Sequence, residues 1–290
     1  MNYRVFGKTG WHISEISLGG AYLAGQDKDR SQENATSVVS RAIELGINYI
    51  DTAPYYGRSE ELIGNALNGV DHSCYIATKF GLSPSDFDYK SDSVIKSIEQ
   101  SLSRLRVPKL SLVQVHEVNV PGWDKIMATG YALTGLREAQ KRGLCEKIGI
   151  TGRAIPILAE LAQTGEFDSI LVYGDYHPAS KLASEMIIPV ATKYNMGIVI
   201  ATVLANGLFT DKNVAQSLAR LSGDEYARAK NIVDRLKQEP NTLAQSAFRY
   251  VLADKRISTI ACGASNIAEI EEAALASDMN YLAHESLVLE

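Results

Sequence analysis

The sequence predicts a (β/α)8 barrel whose bottom is closed by an N-terminal β-hairpin. Eight short apolar segments alternate with amphipathic segments along the 290 residues. Strands that alternate with helices form parallel sheets with right-handed crossovers. Such a barrel usually needs about 250 residues, so the length supports the same fold. No linker-like segment interrupts the chain, so we expect residues 1–290 to form one domain, with a doubly wound open sheet as the rival arrangement.

The predicted strands are short and rich in β-branched and aromatic residues, which is typical of buried strands. They cover residues 15–20, 47–52, 74–80, 110–117, 146–151, 168–174, 197–202 and 258–263. The segment RVFGKTGWHISEIS overlaps the start of the first of them and has the alternating pattern of a small hairpin. We expect this hairpin to close the bottom of the barrel.

The predicted helices carry apolar residues at helical spacing, as Val94, Ile98 and Leu102 do in the third of them. They cover residues 32–45, 59–68, 91–106, 131–142, 154–163, 180–194, 241–253 and 266–276, with an extra helix over 223–238. Gly46 follows the first helix, where glycine commonly ends a helix.

The composition excludes several classes of protein. Hydrophobic residues make up 46% of the chain and charged residues 22%, which is ordinary for a globular protein. The net charge of −5 argues against nucleic acid as a partner, and no polybasic segment favours a membrane surface. The longest apolar stretch, residues 197–205, is far shorter than the roughly 20 residues of a membrane span.

The cysteines indicate a reducing compartment. Cys74, Cys145 and Cys262 are far apart in the sequence and form no CxxC motif. The N-terminal segment MNYRVFGKTG has no apolar run of the kind found in signal peptides. We therefore expect a cytoplasmic protein with reduced thiols. No group of His, Cys, Asp and Glu has the spacing of a metal site, so we expect no metal.

Ionisable residues at the ends of three predicted strands indicate a proton-transfer site. In a (β/α)8 barrel the active-site residues come from the carboxyl ends of the strands, and here Asp51, Lys79 and His116 lie at those ends. A nearby ammonium lowers the pKa of a tyrosine, so Lys79 can activate a tyrosine while Asp51 holds Lys79 in place. His116 can donate a hydrogen bond to a substrate oxygen. Such a site moves a proton in carbonyl reduction or alcohol oxidation, and a hydride carrier supplies the other half of the reaction.

Five segments of the chain resemble the aldo-keto reductase superfamily. They are INYIDTAPYYGRSEELIGNAL, YIATKFG, LVQVHE, IGIT and CGASNIAEIEEA, and they occur in the family's order. The resemblance implies a nicotinamide-dependent oxidoreductase. It implies a catalytic tetrad of Asp51, Tyr56, Lys79 and His116, in which Tyr56 is the general acid/base.

The resemblance also implies a cofactor that extends across the mouth of the barrel. The chain contains neither GxGxxG nor GxxxxGK[ST], so the phosphates are not bound by a Rossmann fingerprint or a P-loop. The implied cofactor contacts follow the strands and begin the last helix: Gly19, Gly20, Asp51, Thr151, Tyr173, Val203, Leu204, Gly207, Gly263, Ala264, Ser265 and Glu269. Thr151-Gly152 stands where the family usually has Ser-Asn, and Val203 where an aromatic residue is common.

The charges near the last helix favour NAD over NADP. NADP-preferring members carry basic residues there, whereas no cation lies between Gly263 and Ala273 in this chain. Glu269 would repel a 2′-phosphate and can accept hydrogen bonds from ribose hydroxyls. A purely structural alternative is that Asn266 caps the helix and Glu269 is the partner in its capping box.

Substrate candidates surround the catalytic positions. Glu117 stands where many family members have tryptophan, and an acidic residue suits a polyhydroxylated ligand, because buried hydroxyls need partners. The alternative for Glu117 is a partner for an arginine or lysine. Tyr22, Tyr55 and Trp123 are candidate walls of the substrate pocket, although packing under loops would also explain them.

The motifs resemble the branch of aldose and sugar 1-dehydrogenases of the galactose, fucose and arabinose types, which implies oxidation of an aldose to its lactone. Small aldehydes or ketones and pyridoxal-type substrates are alternatives. An alternative of another class is a non-catalytic regulatory subunit that binds the cofactor. The sequence leaves the oligomeric state open.

Overall fold

The computed structural model describes residues 1–24, 31–82 and 87–282. Its strands are β1 (Tyr3–Val5), β2 (His12–Ser14), β3 (Ile16–Gly19), β4 (Tyr49–Asp51), β5 (Tyr75–Phe80), β6 (Leu110–Val115), β7 (Cys145–Gly152), β8 (Ser169–Tyr173), β9 (Gly197–Ala201) and β10 (Thr259–Gly263). Strands β3 to β10 form a closed barrel in which every neighbouring pair is parallel and β10 pairs with β3. The predicted barrel is confirmed, and the open sheet is excluded.

Helices follow the barrel strands. They are α1 (Gln32–Glu44), α2 (Ser59–Leu67), α3 (Ser91–Leu105), α4 (Gly122–Met127), α5 (Ala132–Lys141), α6 (Ile155–Gln163), α7 (Leu182–Met186), α8 (Ile188–Lys193), α9 (Val214–Leu218), α10 (Gly223–Leu236), α11 (Leu243–Leu252) and α12 (Ile267–Ser277). None of the helices in the described ranges is both long and apolar enough to cross a membrane.

The segment predicted as one helix over 180–194 forms two helices, so that prediction was wrong in detail. Pro189 lies in the first turn of α8, and proline has no backbone N–H to continue a preceding helix. The helix α7 therefore ends at Met186 and α8 begins two residues later. The short helices α4 and α9 were not predicted, because they contain only 6 and 5 residues and show little periodicity.

The ends of α1 show how the sequence sets helix limits. The Ser31 side chain accepts a hydrogen bond from the backbone N–H of Asn34, which satisfies one free donor of the first turn. Val38 and Val39 are buried against the barrel. After the helix, Gly46 adopts φ 85°, a left-handed conformation that glycine takes without steric cost.

The hairpin β1–β2 closes the bottom of the barrel, as predicted. The two strands pair antiparallel, and the turn between them carries Phe6 and Trp11, whose rings stack with centroids 5.9 Å apart. Trp11 also stacks on Tyr75 at 4.5 Å, and Phe6 meets Tyr49 at 5.5 Å. Complete burial of a side chain like Phe6 contributes about 1.5–3 kcal/mol. The aromatic cluster thus leaves the carboxyl ends of the strands as the open side.

Candidate active site

The four tetrad residues implied by the resemblance come together at the mouth of the barrel. Asp51 ends β4, Lys79 lies in β5, and His116 follows β6, which ends at Val115 and is shorter than the predicted 110–117. Tyr56 lies in the loop between β4 and α2. All four line one cavity of about 1300 Å³.

Lys79 and Asp51 form a buried ion pair. The Lys79 ammonium donates to Oδ2 of Asp51 and, at 3.0 Å, to the backbone carbonyl of Thr52. The Lys79 side chain is only 1% exposed, so burial alone would lower its pKa. Attraction and hydrogen bonding to Asp51 and Tyr56 outweigh burial and raise the pKa of Lys79. The lysine is therefore held as a cation.

Tyr56 lies directly against this ammonium. The Lys79 Nζ atom is 4.9 Å from the centroid of the Tyr56 ring. Burial raises the pKa of Tyr56, and the charge and hydrogen bond of Lys79 lower it, but the burial effect is larger. The sequence predicted the lowering effect of Lys79 and missed the opposing desolvation. In the protein alone the Tyr56 hydroxyl is protonated at neutral pH, which suits a general acid.

His116 completes the group as a neutral imidazole. Its ring meets the Tyr56 ring edge-on, with centroids 5.6 Å apart and an interplanar angle of 89°. Burial, with a smaller contribution from the charge of Lys79, lowers the pKa of His116 to about 3. A neutral imidazole has one N–H donor and one acceptor, so His116 can orient an oxygen without adding positive charge.

The neutrality of His116 predicts a pH dependence. We expect its imidazole NMR resonances to stay constant between about pH 5 and 8, because its folded pKa lies far below the ordinary value near 6.5. The unfolded state then binds more protons between about pH 3 and 6.5, so His116 makes the fold less stable as the pH falls through that window. A His116 titration midpoint near 6.5 would contradict this expectation.

Buried hydrogen bonds anchor the loop that carries Tyr56. The Thr52 hydroxyl donates to the Ser59 hydroxyl at 2.8 Å, and Ser59 donates to the Gly20 carbonyl at 2.8 Å. In α2, Glu60 accepts hydrogen bonds of 2.6 Å from both Thr78 and Arg104. These contacts tie the start of α2 to the segments after β3 and β4, to β5 and to α3, and so restrict the position of Tyr56.

Glu117 and Tyr173 form a second polar pair in the cavity. Burial raises the pKa of Glu117, and a hydrogen bond with Tyr173 opposes that effect. Burial and the adjacent Glu117 raise the pKa of Tyr173 to about 12. Glu117 has φ 52°, a strained conformation for a non-glycine residue that is often found at functional sites. Thr151 supports it by accepting a hydrogen bond of 3.4 Å from the Glu117 backbone N–H.

The loop after β9 also has a strained backbone. Thr202, Ala205 and Asn206 have φ values of 60°, 46° and 52°, and the predicted cofactor contacts Val203, Leu204 and Gly207 line the cavity between and beside them. Asp211 fixes the end of this loop by accepting a hydrogen bond of 3.2 Å from the first residue of α11. This hydrogen bond ties the loop to α11 beside the cavity.

At the N-terminus of α12, Asn266 caps the helix as the structural alternative expected, but Glu269 bonds Ser265 and does not close a capping box with Asn266. Asn266 accepts a hydrogen bond of 3.1 Å from the backbone N–H of Glu269. The Glu269 carboxylate accepts bonds of 2.7 and 2.9 Å from the backbone N–H and the hydroxyl of Ser265, one residue before the cap. A carboxylate therefore already occupies donors that could otherwise bind a phosphate.

The structure does not place every predicted contact at the cavity. Gly20 and Ala264 are buried and do not line it. A Cβ at Gly20 would lie 2.4 Å from the Ser59 hydroxyl, so packing explains this glycine. Trp123 lies on α4, is 41% exposed and is also absent from the lining. The other predicted cofactor and substrate positions do line the cavity: Gly19, Tyr22, Asp51, Tyr55, Glu117, Thr151, Tyr173, Val203, Leu204, Gly207, Gly263, Ser265 and Glu269.

Several lining residues were missed by sequence reasoning. Leu82 follows β5 and could have been found as a strand-end residue, as could Asn206 after β9. Ala244 and Phe248 belong to α11, where their spacing indicated only a buried helix face. Lys212 and Glu272 are charged, but no recognisable sequence motif contains them in a functional role.

The cavity fits a dinucleotide. Its volume of about 1300 Å³ exceeds the roughly 300–1000 Å³ of ordinary ligand pockets. It runs from the tetrad at the strand ends to Ser265 and Glu269 at the start of α12. In the described ranges, no three His, Cys, Asp or Glu side chains are grouped to hold a metal ion.

Comparison with known proteins identifies the family. The model of the Aldo/keto reductase family matches residues 15–286. The chain belongs to the aldo/keto reductase family. This is a family of nicotinamide-dependent oxidoreductases, and the match agrees with the resemblance in the sequence motifs.

Individual aldo/keto reductase relatives differ in function. The chain is 30% identical to L-galactose dehydrogenase from Arabidopsis thaliana over 277 residues, covering 93% of this chain and 86% of that protein. It is 23% identical to a probable voltage-gated potassium channel subunit beta from Arabidopsis thaliana over 312 residues, covering 96% and 92%. An aldo-keto reductase from Bacillus halodurans, solved in a holo form, has the same fold, with a TM-score of 0.79, 23% identity and coverage of 99% and 94%.

Proposed function

We propose that this aldo/keto reductase oxidises the C1 hydroxyl of an aldose to the lactone, with NAD as the hydride acceptor. The observation that carries the proposal is the presence of the Glu117 carboxylate in the same cavity as Asp51, Tyr56, Lys79 and His116. The similarity to L-galactose dehydrogenase supports the same substrate class.

Each residue of the tetrad has a separate role in the transfer of one proton. A nicotinamide cofactor, when held by the cavity lining, would supply the hydride acceptor for C1. Tyr56, as phenolate, takes the proton of the C1 hydroxyl, and in the reverse direction its hydroxyl returns the proton to the carbonyl oxygen. The Lys79 ammonium stabilises the phenolate, and Asp51 keeps that ammonium in place. Neutral His116 donates a hydrogen bond that orients the reacting oxygen.

Glu117 supplies the selectivity for a sugar. Its half-buried carboxylate accepts a hydrogen bond from Tyr173 and can accept further hydrogen bonds at its remaining lone pairs. A sugar hydroxyl can satisfy those positions, whereas an apolar aldehyde would leave them without partners, which costs free energy. The lining therefore favours a polyhydroxylated ligand over small aldehydes, ketones or pyridoxal-type substrates.

A substrate panel tests this function. We expect turnover of one or more aldoses with NAD at alkaline pH, and Glu117→Gln should raise the sugar KM about tenfold with a much smaller effect on a simple aldehyde assayed in reduction. Turnover of simple aldehydes alone would assign the protein to the small-carbonyl reductases. Tight cofactor binding without turnover of any panel member would favour the regulatory-subunit alternative.

The cofactor preference follows from the charges in the cavity. Among the described lining residues the cations are Lys79 and Lys212, against the acids Asp51, Glu117, Asp211, Glu269 and Glu272. Glu269 also occupies the Ser265 donors at the helix start. A 2′-phosphate would meet a carboxylate in place of a cation, so we favour NAD over NADP.

A pair of variants on α12 tests the cofactor preference. Glu269→Ala should lower the ratio of kcat/KM with NAD to kcat/KM with NADP by about tenfold, because it frees the Ser265 donors and removes a repelling charge. Glu271→Ala is the matched control: its carboxylate lies on the same helix, bonds Arg41 and is outside the cavity lining. Equal ratios in the wild type and both variants would contradict the role of Glu269.

We place the protein in the cytoplasm. Cys74, Cys145 and Cys262 are all unpaired thiols, and three thiols without a disulfide are typical of a reducing compartment. The proposed partners are the dinucleotide and a small carbonyl or sugar substrate.

A further inference from the structure

Gln114 lies beneath the tetrad, inside the barrel. It belongs to β6, where it pairs in register with Lys79 of β5, and it is fully buried. Its side-chain Nε2 donates a hydrogen bond of 3.0 Å to Oδ1 of Asp51. Because Lys79 bonds the other oxygen, Oδ2, the two neighbouring strands hold the Asp51 carboxylate from both sides. An ionised carboxylate only accepts hydrogen bonds, so the amide must present its NH2 group to Asp51.

The rest of the Gln114 side chain is poorly satisfied. Its Oε1 atom is buried and has no hydrogen-bond partner among the described residues. A buried acceptor without a partner costs free energy that an apolar side chain of similar shape would avoid. Among the residues that the structure describes, the hydrogen bond to Asp51 is the one polar contact of the Gln114 side chain. The hydrogen bond to Asp51, and not packing, therefore explains why an amide side chain occupies this position.

We propose that Gln114 is a positioning residue for the reaction. It fixes the Asp51 carboxylate in the orientation that holds the Lys79 ammonium against Tyr56. Without the amide donor, Asp51 is held from one side only, so the carboxylate can turn and draw the ammonium away from the phenolic oxygen. Tyr56 would then lose part of the charge that favours its phenolate. The proposal rests on the tetrad mechanism of the proposed function.

Two variants of similar size test the role of the amide. Gln114→Met and Gln114→Leu keep an apolar volume at this position without the donor. We expect kcat to fall about tenfold while the substrate KM stays within about twofold, because the change affects the reacting group and not the binding of ground-state substrate. If one variant does not fold, the other carries the test.

The titration of Tyr56 supplies a readout that needs no substrate. The Tyr56 signal is observed by NMR in protein with isotope-labelled tyrosine and is assigned with Tyr56→Phe. We expect the midpoint of the Tyr56 titration to rise by up to about one pH unit in the Gln114 variants, which is equivalent to the tenfold change in kcat. Wild-type protein that turns over no panel substrate would defeat the proposed function, whereas the Tyr56 titration would still decide the role of Gln114.

Ser169→Ala is the matched control. Ser169 is also buried inside the barrel, and its hydroxyl has no hydrogen-bond partner, Asp51 included, among the described residues. A Cβ at Gly149 would lie 2.2 Å from the Ser169 hydroxyl and 3.1 Å from Cγ of Gln114, so the two side chains are near neighbours. We expect wild-type kcat and an unchanged Tyr56 titration in this control. Unchanged values in the Gln114 variants, or equal losses in Ser169→Ala, would overturn the proposal.

Discussion

Tyr56→Phe is expected to lower kcat by about 10²–10⁴-fold, the contribution of a positioned general acid or base. The substitution removes one oxygen and leaves the ring that packs beside His116 and Lys79. Cofactor binding should therefore be nearly unchanged, and the loss should appear in kcat. The variant is compared with wild type in steady-state assays of both reaction directions.

The wild-type pH profile gives a further check on Tyr56. Because burial raises the pKa of Tyr56 above its ordinary value, the phenolate needed for oxidation forms only at alkaline pH. We expect oxidation to become faster as the pH rises, and reduction, which needs the protonated hydroxyl, to become slower. Tyr226→Phe on the exposed helix α10 is the control for loss of a tyrosine hydroxyl. Full turnover by Tyr56→Phe would refute the mechanism.

Lys79→Met should destabilise the fold by about 3–5 kcal/mol, because removing one partner of a buried ion pair leaves the other charge uncompensated. Asp51 would keep its hydrogen bond from Gln114 but lose the ammonium. The free energy of unfolding in denaturant measures the loss.

A second substitution separates charge from packing at this ion pair. Lys79→Met combined with Asp51→Asn should recover part of the lost stability, since no unpaired charge is then buried. Lys230→Met is the control: Lys230 pairs with Asp234 on the exposed surface of α10, and we expect little change there. Equal destabilisation by Lys79→Met and Lys230→Met would show that burial of the pair does not matter.

The barrel could be predicted because its signals are local. Short apolar strands and amphipathic helices each show their hydrophobic periodicity within a few residues. Eight repetitions of a strand followed by a helix are compatible with few other architectures. The break between α7 and α8 depends on Pro189, which is a local signal of the same kind. Segments as short as α4 contain too few residues to show a period.

The candidate site was predictable only in part. Asp51, Lys79 and His116 stand at strand ends, so the barrel topology alone brings them together. Gln114 of β6 bonds Asp51 of β4, and Glu117, which follows β6, pairs with Tyr173 of β8. No spacing in the sequence indicates either hydrogen bond. The raised pKa of Tyr56 likewise depends on burial that only the packed structure provides. At Gly20, packing against Ser59 demands glycine as strongly as a ligand would, so the sequence does not separate the two roles.

The aromatic cluster at the bottom of the barrel has a practical consequence. The chain has two tryptophans, and they lie at opposite ends of the barrel. Trp11 is sealed beneath the strands between Phe6 and Tyr75, whereas Trp123 is 41% exposed on the helix that follows β6. Quenching can therefore separate the fluorescence of the two tryptophans. A dissolved quencher reaches Trp123 in the folded protein, whereas quenching of Trp11 reports that the bottom of the barrel has opened.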